Sequence, residues 1–546
     1  MSALTAVTRL LPSWRDYRLL HRTWRQDVVA GITVGIVALP LALAFGVSSG
    51  AGAASGLVTA IIAGVVAAVF GGSNVQVSGP TGARVVVLGP VIAAHGVGVL
   101  AVVCLIAGVI VVAAGALGLG RAVTLIPWPV LEGFTLGIAV IIFLQQVPTA
   151  VGAAPHPSSS AVIAAVDAVA AIDPATAGWS LGIVAVVAVI MVGATRLHPA
   201  IPGSIIAIIV VSVAAWVLRA PVDAIGALPD ALPAPRMPFA NGETLLMLVG
   251  PAFAIAALAA IESLLSARVA ASNSATGPYD ADRELVGQGL ASVASGLFGG
   301  MPATGAIART AVNIRAGART RAAAIVHALV LVLVVYAGSE VVGEIPLAAL
   351  AGVLMVTSVR MVPFAAIRTI VTSTRADAAV LIITAVITVS VDLIYAVAIG
   401  IAVAAFFALR SMVGSTGVHR EELPPPAHDG DERIALIRLD GALFFGAADS
   451  ILNRVAEIDD VSVVILRMSQ VRMLDATGAQ VITELVHTLE RRGITVLIKG
   501  IQPGHLRLVT KVGVIASLRH QNHLFQSLDA AVAHARSHVE RERAQT

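Results

Sequence analysis

The sequence predicts a polytopic α-helical membrane protein with a small soluble α/β domain at its C-terminal end. Of its 546 residues, 57% are hydrophobic and 12% are charged, and the mean hydropathy is +0.91. Average proteins have roughly 45–50% apolar and about 25% charged residues. Residues 28–83 and 85–120 contain no charged side chain. One crossing needs about 20 apolar residues, and lipid requires each backbone group to be satisfied internally, so spanning helices are expected.

Hydrophobic runs separated by polar turns predict fourteen membrane spans. The first seven lie at 28–48, 52–71, 81–95, 97–118, 130–147, 177–195 and 201–218. The second seven lie at 245–265, 283–300, 304–317, 320–341, 347–360, 375–391 and 393–413. Spans three and ten are short, as helices that begin at mid-membrane are. The long connection from 148 to 176 has room for an amphipathic helix.

Arginines orient these spans. If the N-terminus is cytoplasmic, the loops on that side contain most arginines, including Arg121, Arg196 and Arg321, as the positive-inside rule requires. An even number of spans returns the chain to the cytoplasm. We therefore expect a cytoplasmic segment at 1–26, a transmembrane domain at 27–414, and both termini on the cytoplasmic side of the cell inner membrane. Residues 1–26 have no cleavage site of the signal-peptide kind.

Two similar motifs at matching places of the two halves indicate broken helices. Residues 80–84 read PTGAR and residues 302–306 read PATGA, each before an apolar run. Seven spans per half give the halves opposite orientations. The short helices would then begin at mid-membrane with their N-termini facing each other, and each would add roughly half a positive charge. Such a pair is predicted to bind an anion.

Ionisable residues inside predicted spans are candidates for function. Glu262 lies in span eight, where an acidic side chain costs about 2.5–3.5 kcal/mol to insert. Ser266 lies one turn further on the same helix face, so the two side chains suit a coupling cation or a carried proton. The alternative for Glu262 is a structural bond to neighbouring backbone. Arg309 either adds positive charge to the anion site or extends to the cytoplasmic interface.

The chain changes character after residue 414. Residues 415–432 contain three consecutive prolines and many charges, which is typical of a linker. Residues 433–546 alternate β-like runs with helical patterns, which predicts a soluble α/β domain. The predicted strands are 434–439, 461–466 and 494–498, and the predicted helices are 476–491 and 525–537.

Several classes of function lack sequence support. Lys499 and Lys511 are the only lysines and neither follows a glycine, so no Walker A motif is present. No HExxH motif or Cys/His cluster is found, and the single cysteine, Cys104, gives no disulfide framework. The net charge of +3 comes with arginines in loops and does not indicate nucleic-acid binding. We expect no enzyme activity, no cofactor other than a coupling ion, and no metal site.

Four motifs together resemble one family. Residues 37–45 read VALPLALAF, residues 78–82 read SGPTG, residues 260–265 read AIESLL, and residues 299–310 read GGMPATGAIART. The chain resembles the sulfate permease (SulP) family, the bacterial branch of the solute-carrier sulfate/anion transporter group, over essentially its whole length. The C-terminal region resembles a STAS domain.

The resemblance implies a seven-plus-seven inverted repeat with core and gate domains, a homodimer, and an anion bound between spans three and ten. The residues that match the family's anion site are Phe45, Thr81, Gly82, Ala83, Thr304, Gly305, Ala306 and Arg309. Glu262 and Ser266 fall where sodium-coupled members have an aspartate and a hydroxyl. The glutamate here favours a proton over sodium, so proton-coupled symport is expected.

The resemblance leaves the anion open. Sulfate-type members often have glutamine after the span-one proline, where this chain has Leu41. Sulfate, bicarbonate and C4-dicarboxylates such as fumarate or succinate are the candidates. Sodium-coupled bicarbonate symport, anion exchange and an anion channel on the same fold are the alternatives. A nucleobase permease shares the architecture but fits the motifs less well.

The loop before the first domain helix contains the last candidate site. STAS domains usually have Asp-Ser/Thr-Ser/Thr-Gly there, and this chain has Asp475-Ala476-Thr477-Gly478. Asp475 and Thr477 are therefore candidates for regulation by phosphorylation or by a cytoplasmic partner. Capping of the helix N-terminus is the favoured alternative.

Overall fold

The computed structural model describes residues 10–121, 126–153, 160–198, 201–239, 241–391, 393–414, 417–443 and 460–544. The chain forms two compact units, Met1–Ile401 and Ala402–Thr546. The first unit is almost entirely helical. The second contains a mixed β-sheet with helices, as the composition change after residue 414 predicts.

The helices of the first unit are mostly apolar and follow one another along the chain, with the longest connection at 219–241. They are α1 (Leu20–Ser48), α2 (Ala53–Phe70), α3 (Gly82–His95), α4 (Leu100–Ala116), α5 (Trp128–Ala150), α6 (Ala161–Ala170), α7 (Pro174–Leu197), α8 (Gly203–Leu218), α9 (Gly242–Asn273), α10 (Ala281–Leu297), α11 (Ile307–Arg315), α12 (Ala322–Gly343), α13 (Leu347–Met361), α14 (Phe364–Ser373), α15 (Arg375–Ser390) and α16 (Leu393–Gly414). Short 3-10 helices lie at Trp14–Tyr17 and Val97–Val99. Helix α16 continues into the second unit.

Eight helical segments among the described residues are long and apolar enough to cross a membrane. They are Leu20–Ser48, Ala53–Phe70, Val97–Ala116, Trp128–Ala150, Ala177–Leu197, Gly242–Asn273, Ala322–Gly343 and Leu347–Ser373. Shorter apolar helices lie at Gly82–His95, Ala161–Ala170, Gly203–Leu218 and Ala398–Met412. The count of fourteen spans and the seven-plus-seven repeat stay predictions.

The helices differ from the predicted spans at a few places. The helical part of span ten begins at Ile307 rather than at residue 304, because Thr304 and Gly305 form a strand. Helix α9 has 32 residues and extends beyond both ends of predicted span eight. Helix α14 lies between two predicted spans. It was not predicted, because it is shorter than an apolar run of membrane length. Helix α6 occupies the connection where an amphipathic helix was predicted.

Two buried two-residue strands, β1 (Ser78–Gly79) and β2 (Thr304–Gly305), precede the two short helices α3 and α11. They pair antiparallel, with Ser78 opposite Gly305 and Gly79 opposite Thr304. The amide of Ala306 donates to the carbonyl of Val77 at 2.8 Å and extends the pair. Because each strand runs almost directly into its helix, α3 and α11 leave the pair in opposite directions. We call these two helices the half-helices.

Glycines allow helices of the first unit to cross in backbone contact. A Cβ at Gly108 on α4 would lie 2.7 Å from the carbonyl oxygen of Gly289 on α10. A Cβ at Gly289 would lie 2.6 Å from the carbonyl oxygen of Gly108. Membrane helices associate through such close packing, because lipid removes the hydrophobic driving force between them.

The second unit is built on a five-stranded sheet. Its strands, in spatial order, are β3 (Gly417–Glu421), β4 (Ile434–Leu443), β5 (Val463–Leu474), β6 (Thr495–Lys499) and β7 (Leu524–Phe525). Strand β3 pairs antiparallel with β4, and the other neighbours are parallel. The helices are α17 (Ala476–Arg491), α18 (Pro503–Val512) and α19 (Leu528–Arg543), with 3-10 turns at Asp431–Arg433 and Gln521–His523.

Alternate residues of strand β4 face two apolar layers, as the period of a strand requires. Ala435 and Ile437 belong to the layer that includes Ile482 of α17. Ile434 and Leu436 belong to the layer that includes Ala535 of α19. The sheet is therefore covered on both faces, which a mostly parallel sheet needs.

Strand β3 lies within residues 415–432, which the sequence predicts as a linker. It is an edge strand with the polar sequence GVHRE, so it lacks the apolar pattern by which strands are recognised. Its Glu421 accepts hydrogen bonds from Arg438 at 2.6 Å and from Arg467 at 2.8 Å. Backbone pairing with β4, these charge pairs and the packing of Val418 against the apolar layer hold this strand.

Substitution of Gly289 by alanine should destabilise the transmembrane unit. The new methyl group would overlap the backbone of α4, and overpacking of this kind costs about 1–3 kcal/mol. A lowered melting temperature of the purified protein in detergent would show this. Gly250→Ala on α9 is the matched control, because no atom lies within 4 Å of a Cβ there. A melting temperature of the Gly289→Ala variant at or above that of the Gly250→Ala variant would contradict this role of Gly289 in packing.

Candidate functional site

The candidate site is built around the strand pair β1–β2. Half-helix α3 begins at Gly82 and half-helix α11 begins at Ile307. Among the described residues, the amides of Gly82 and Ala83 have no hydrogen-bond partner, nor do those of Ile307 and Ala308. These are the first-turn amides that a helix leaves unpaired. The positive end of each helix dipole lies at the same place.

Two buried arginines join the half-helices reciprocally. Arg84 on α3 donates from Nη2 to the carbonyl oxygen of Ala303 at 2.7 Å. Arg309 on α11 donates from Nη2 to the carbonyl oxygen of Pro80. Arg84 is 0% and Arg309 is 2% exposed, so Arg309 lies inside the protein and does not extend to an interface.

Both guanidinium groups keep donors that are not used by the protein. Nε and Nη1 of Arg84 and Nη1 of Arg309 are buried and have no partner among the described residues. A buried charged donor without a partner carries a high desolvation cost. These atoms are therefore suited to bind a further acceptor.

Glu262 on α9 contacts the start of the first half-helix. Its Oε2 accepts a hydrogen bond from Thr81 Oγ1 at 3.0 Å, and Thr81 is the residue that precedes the first turn of α3. Both side chains are half-buried. Among the described residues, the carboxylate of Glu262 therefore bonds to the predicted site residue Thr81. Within that part of the chain it forms no hydrogen bond with neighbouring backbone, which was the alternative role.

Ser266 contacts the second half-helix instead. Its Oγ lies 3.3 Å from Thr310 Oγ1 on α11 in a shared hydrogen bond. The sequence predicts that Ser266 and Glu262 act together. Among the described residues, however, the two side chains share no hydrogen-bond partner. Helix α9 contacts α3 through one side chain and α11 through the other.

Ser263 is a site residue that the sequence analysis did not single out. Its Oγ lies 2.7 Å from Thr304 Oγ1 and accepts the Gly305 amide at 3.2 Å. Gln76 donates to the Ser263 carbonyl at 3.3 Å. The position of Ser263 directly after Glu262 was the signal available in the sequence.

The remaining predicted substrate residues shape the space near the start of α3 and α11. A Cβ at Gly82 would overlap Ile142 of α5 and would lie 3.3 Å from Phe45. Phe45, Ala83 and Ala306 are 6%, 1% and 7% exposed, so they are nearly enclosed.

A buried polar chain supports strand β1 from α10. Gln288 donates to Ser78 Oγ at 2.6 Å and to Glu284 Oε1 at 2.8 Å. Glu284 Oε2 accepts the amides of Gly72 and Ser73 at 2.8 and 3.0 Å. These contacts satisfy the polar groups of the segment that precedes half-helix α3. The bonded residues lie far apart in the sequence, so the contacts could not be predicted from it.

In the second unit, Asp475 caps helix α17. Its Oδ1 accepts the amide of Gly478 at 2.7 Å, the usual bond of an N-cap residue. Thr477 is exposed and makes no capping bond among the described residues. A regulatory role for either residue stays a prediction.

Comparison with known proteins identifies the class. The model of the sulfate permease family matches residues 24–384, and the model of the STAS domain matches residues 426–531. The chain therefore belongs to the sulfate permease family and has a C-terminal STAS domain. This confirms the family that the four sequence motifs indicate.

Relatives and solved structures agree with this assignment. YvdB of Bacillus subtilis, named for sulfate transport, is 34% identical over 94% of this chain and 98% of its own length. Bicarbonate transporter BicA of Synechocystis sp. is 30% identical over 92% of this chain and 93% of its own length. The murine Solute Carrier 26 family member A9 anion transporter, solved in the inward-facing state, is 18% identical and has a TM-score of 0.82. That match covers 98% of this chain and 94% of the other and confirms the fold class.

Asp475→Ala should lower the stability of the second unit by about 1 kcal/mol, the usual cost of losing an N-cap bond. Chemical or thermal unfolding of the full chain, followed by a probe in residues 417–544, would measure the change. Thr477→Ala is the control, since its hydroxyl caps nothing. Equal stability of the two variants would contradict the capping role.

Proposed function

We propose that the protein is a secondary active transporter of small anions, coupled to protons, which binds its anion between the N-termini of α3 and α11. The observation that carries the proposal is the pair of half-helices whose unpaired amides meet at one strand pair. N–H donors and the positive ends of helix dipoles both favour negative charge. Two such ends at one place make a site for an anion rather than a cation.

The buried arginines support an oxyanion as substrate. The free donors of Arg84 and Arg309 belong to the first turns of the two half-helices. Hydrogen bonds between guanidinium and oxyanion are charge-assisted and about twice as strong as neutral ones. Sulfate and bicarbonate occur in the names of relatives, and C4-dicarboxylates fit the same donors.

The contact between Glu262 and Thr81 supports coupling to a proton. An ionised carboxylate at the start of α3 competes with a bound anion for the same positive potential. A protonated carboxyl is neutral and leaves that potential to the anion. Binding of the proton therefore favours binding of the anion, and linkage makes the effect reciprocal. Ser266 bonds to Thr310 instead, so these contacts favour a proton over sodium.

The same proposal includes a location and an assembly. The protein would lie in the cell inner membrane with both termini in the cytoplasm, as a homodimer. The arginine-rich loops support the orientation. Family membership supports a multi-pass membrane protein.

Glu262→Gln should abolish proton-driven accumulation. Proteoliposomes with purified protein would receive labelled sulfate, bicarbonate, fumarate or succinate under imposed pH or sodium gradients. The wild type should accumulate at least one anion when the pH gradient drives protons inward. The variant should lose this accumulation completely, because the proton gradient can no longer drive the anion. Exchange of internal for external anion should persist and lose its dependence on pH, because glutamine carries no transferable proton.

Glu340→Gln provides the matched control, since Glu340 is exposed near the end of α12. Equal accumulation by the two variants would refute the coupling role of Glu262. Accumulation that follows only the sodium gradient would support the sodium-coupled alternative. If none of the four anions moves, the proposed function is wrong.

A further inference from the structure

Three histidines meet in the second unit, away from the half-helices. His523 ends the 3-10 turn before strand β7, and His534 and His538 lie on α19. Residues four apart share one helix face, and here both rings of α19 face His523. The ring centroids lie 5.4 Å apart for His523 and His534, 5.5 Å for His523 and His538, and 5.0 Å for His534 and His538.

Each ring offers one nitrogen that lies near a nitrogen of the other two. The three nitrogens all lie within 4.8 Å of one another. A tetrahedral zinc ion with Zn–N bonds of about 2.0–2.1 Å holds its nitrogen ligands roughly 3.3–3.4 Å apart. Small rotations of the rings would therefore bring the nitrogens onto one ion. Histidines at i and i+4 on a helix are a known arrangement of zinc ligands.

The cluster also has nitrogens without another partner. Nδ1 of His523 and Nε2 of His534 are buried and make no hydrogen bond with any described residue. His523 is 1% exposed. Buried polar atoms are rarely left without a partner, so these two nitrogens are suited to bind a ligand.

The charge state of the rings agrees with metal binding. Burial, followed by the neighbouring imidazoles, lowers the pKa of His523 to about 4. Burial also lowers the pKa of His534 and of His538. Burial thus favours the neutral imidazole, which has the lone pair that a metal needs.

We propose that His523, His534 and His538 form a site for a divalent transition metal, with Zn²⁺ as the reference ion. Imidazole ligands suit zinc, copper and nickel, whereas magnesium and calcium prefer oxygen. Three protein ligands leave a fourth position open to water or another donor. The ion would link the segment before edge strand β7 to the C-terminal helix α19. The sequence does not reveal the cluster, because His523 lies outside α19 and only the fold brings it to the pair His534 and His538.

The full-length protein tests this directly. It is purified in detergent with an affinity tag that lacks histidine, stripped of metal with a chelator, and titrated with Zn²⁺ against a chromophoric competitor. The wild type should bind one tight equivalent, and Zn²⁺ should raise the melting temperature of the second unit. His534→Gln and His538→Gln should each weaken binding by at least tenfold. The control His487→Gln, exposed on α17, should bind like the wild type.

Replacement of zinc by Co²⁺ gives a second readout that needs no variant. The wild type should show the visible absorption of cobalt in a four-coordinate nitrogen site, and excess zinc should remove it. If the double variant His534→Gln, His538→Gln binds zinc as tightly as the wild type, the assignment is wrong. Absence of the cobalt absorption in the wild type would also overturn it, and the three rings would then serve packing alone.

Discussion

The structure of the first unit depends on one constraint. Backbone polar groups must find hydrogen-bond partners within the protein where lipid offers none. A helix that begins inside a membrane leaves a strand-like segment whose amides and carbonyls would otherwise be orphaned. Here two such segments, Ser78–Gly79 and Thr304–Gly305, pair with each other. Neither break could exist without the other, so the two halves of the chain depend on one short pair of strands. The polar side chains around it, such as Ser263 and Gln288, satisfy what remains.

The same arrangement concentrates positive charge in the interior. Two helix N-termini of roughly half a charge each, together with two buried guanidinium groups, amount to about three positive charges. Glu262 offsets one of them when it is ionised and none when it is protonated. Unpaired charge is costly away from water, so the bound anion that we propose would relieve a cost that folding itself creates. Affinity for an anion would in this sense follow from how the site is built.

The elements that depend on a local sequence pattern could be predicted from the sequence. The half-helices were predictable because proline and glycine interrupt apolar runs at matching places. The candidate role of Glu262 was predictable because a carboxylate in a membrane span is costly and needs a reason. The polar partners were not predictable, because they depend on how helices rotate against one another. Ser266 faces Thr310 and not Glu262 for this reason, and the position of Ser263 next to Glu262 does not show that its hydroxyl reaches Thr304.

In the second unit, too, the elements and contacts without a local sequence pattern could not be predicted. Strands β4 and β6 were predicted close to their observed positions, whereas the prediction for β5 covered only its N-terminal part, because its second half is more polar. Edge strand β3 was missed because its sequence is mostly polar and the partners of Glu421, two arginines, lie further along the chain. The histidine cluster joins a 3-10 turn to a helix, and only the three-dimensional packing brings the rings together.

The reciprocal arginine contacts limit how the first unit can move. Arg84 holds the segment before α11, and Arg309 holds the segment before α3, so the half-helices cannot separate without breaking both contacts and the strand pair. In the proposed transporter they would move as one body, together with α9, which bonds to each of them. Exposure of a bound anion to one side of the membrane and then to the other would require this body to slide against the neighbouring helices. Ile142 on α5 packs against the start of α3 and would be one of the contacts that change.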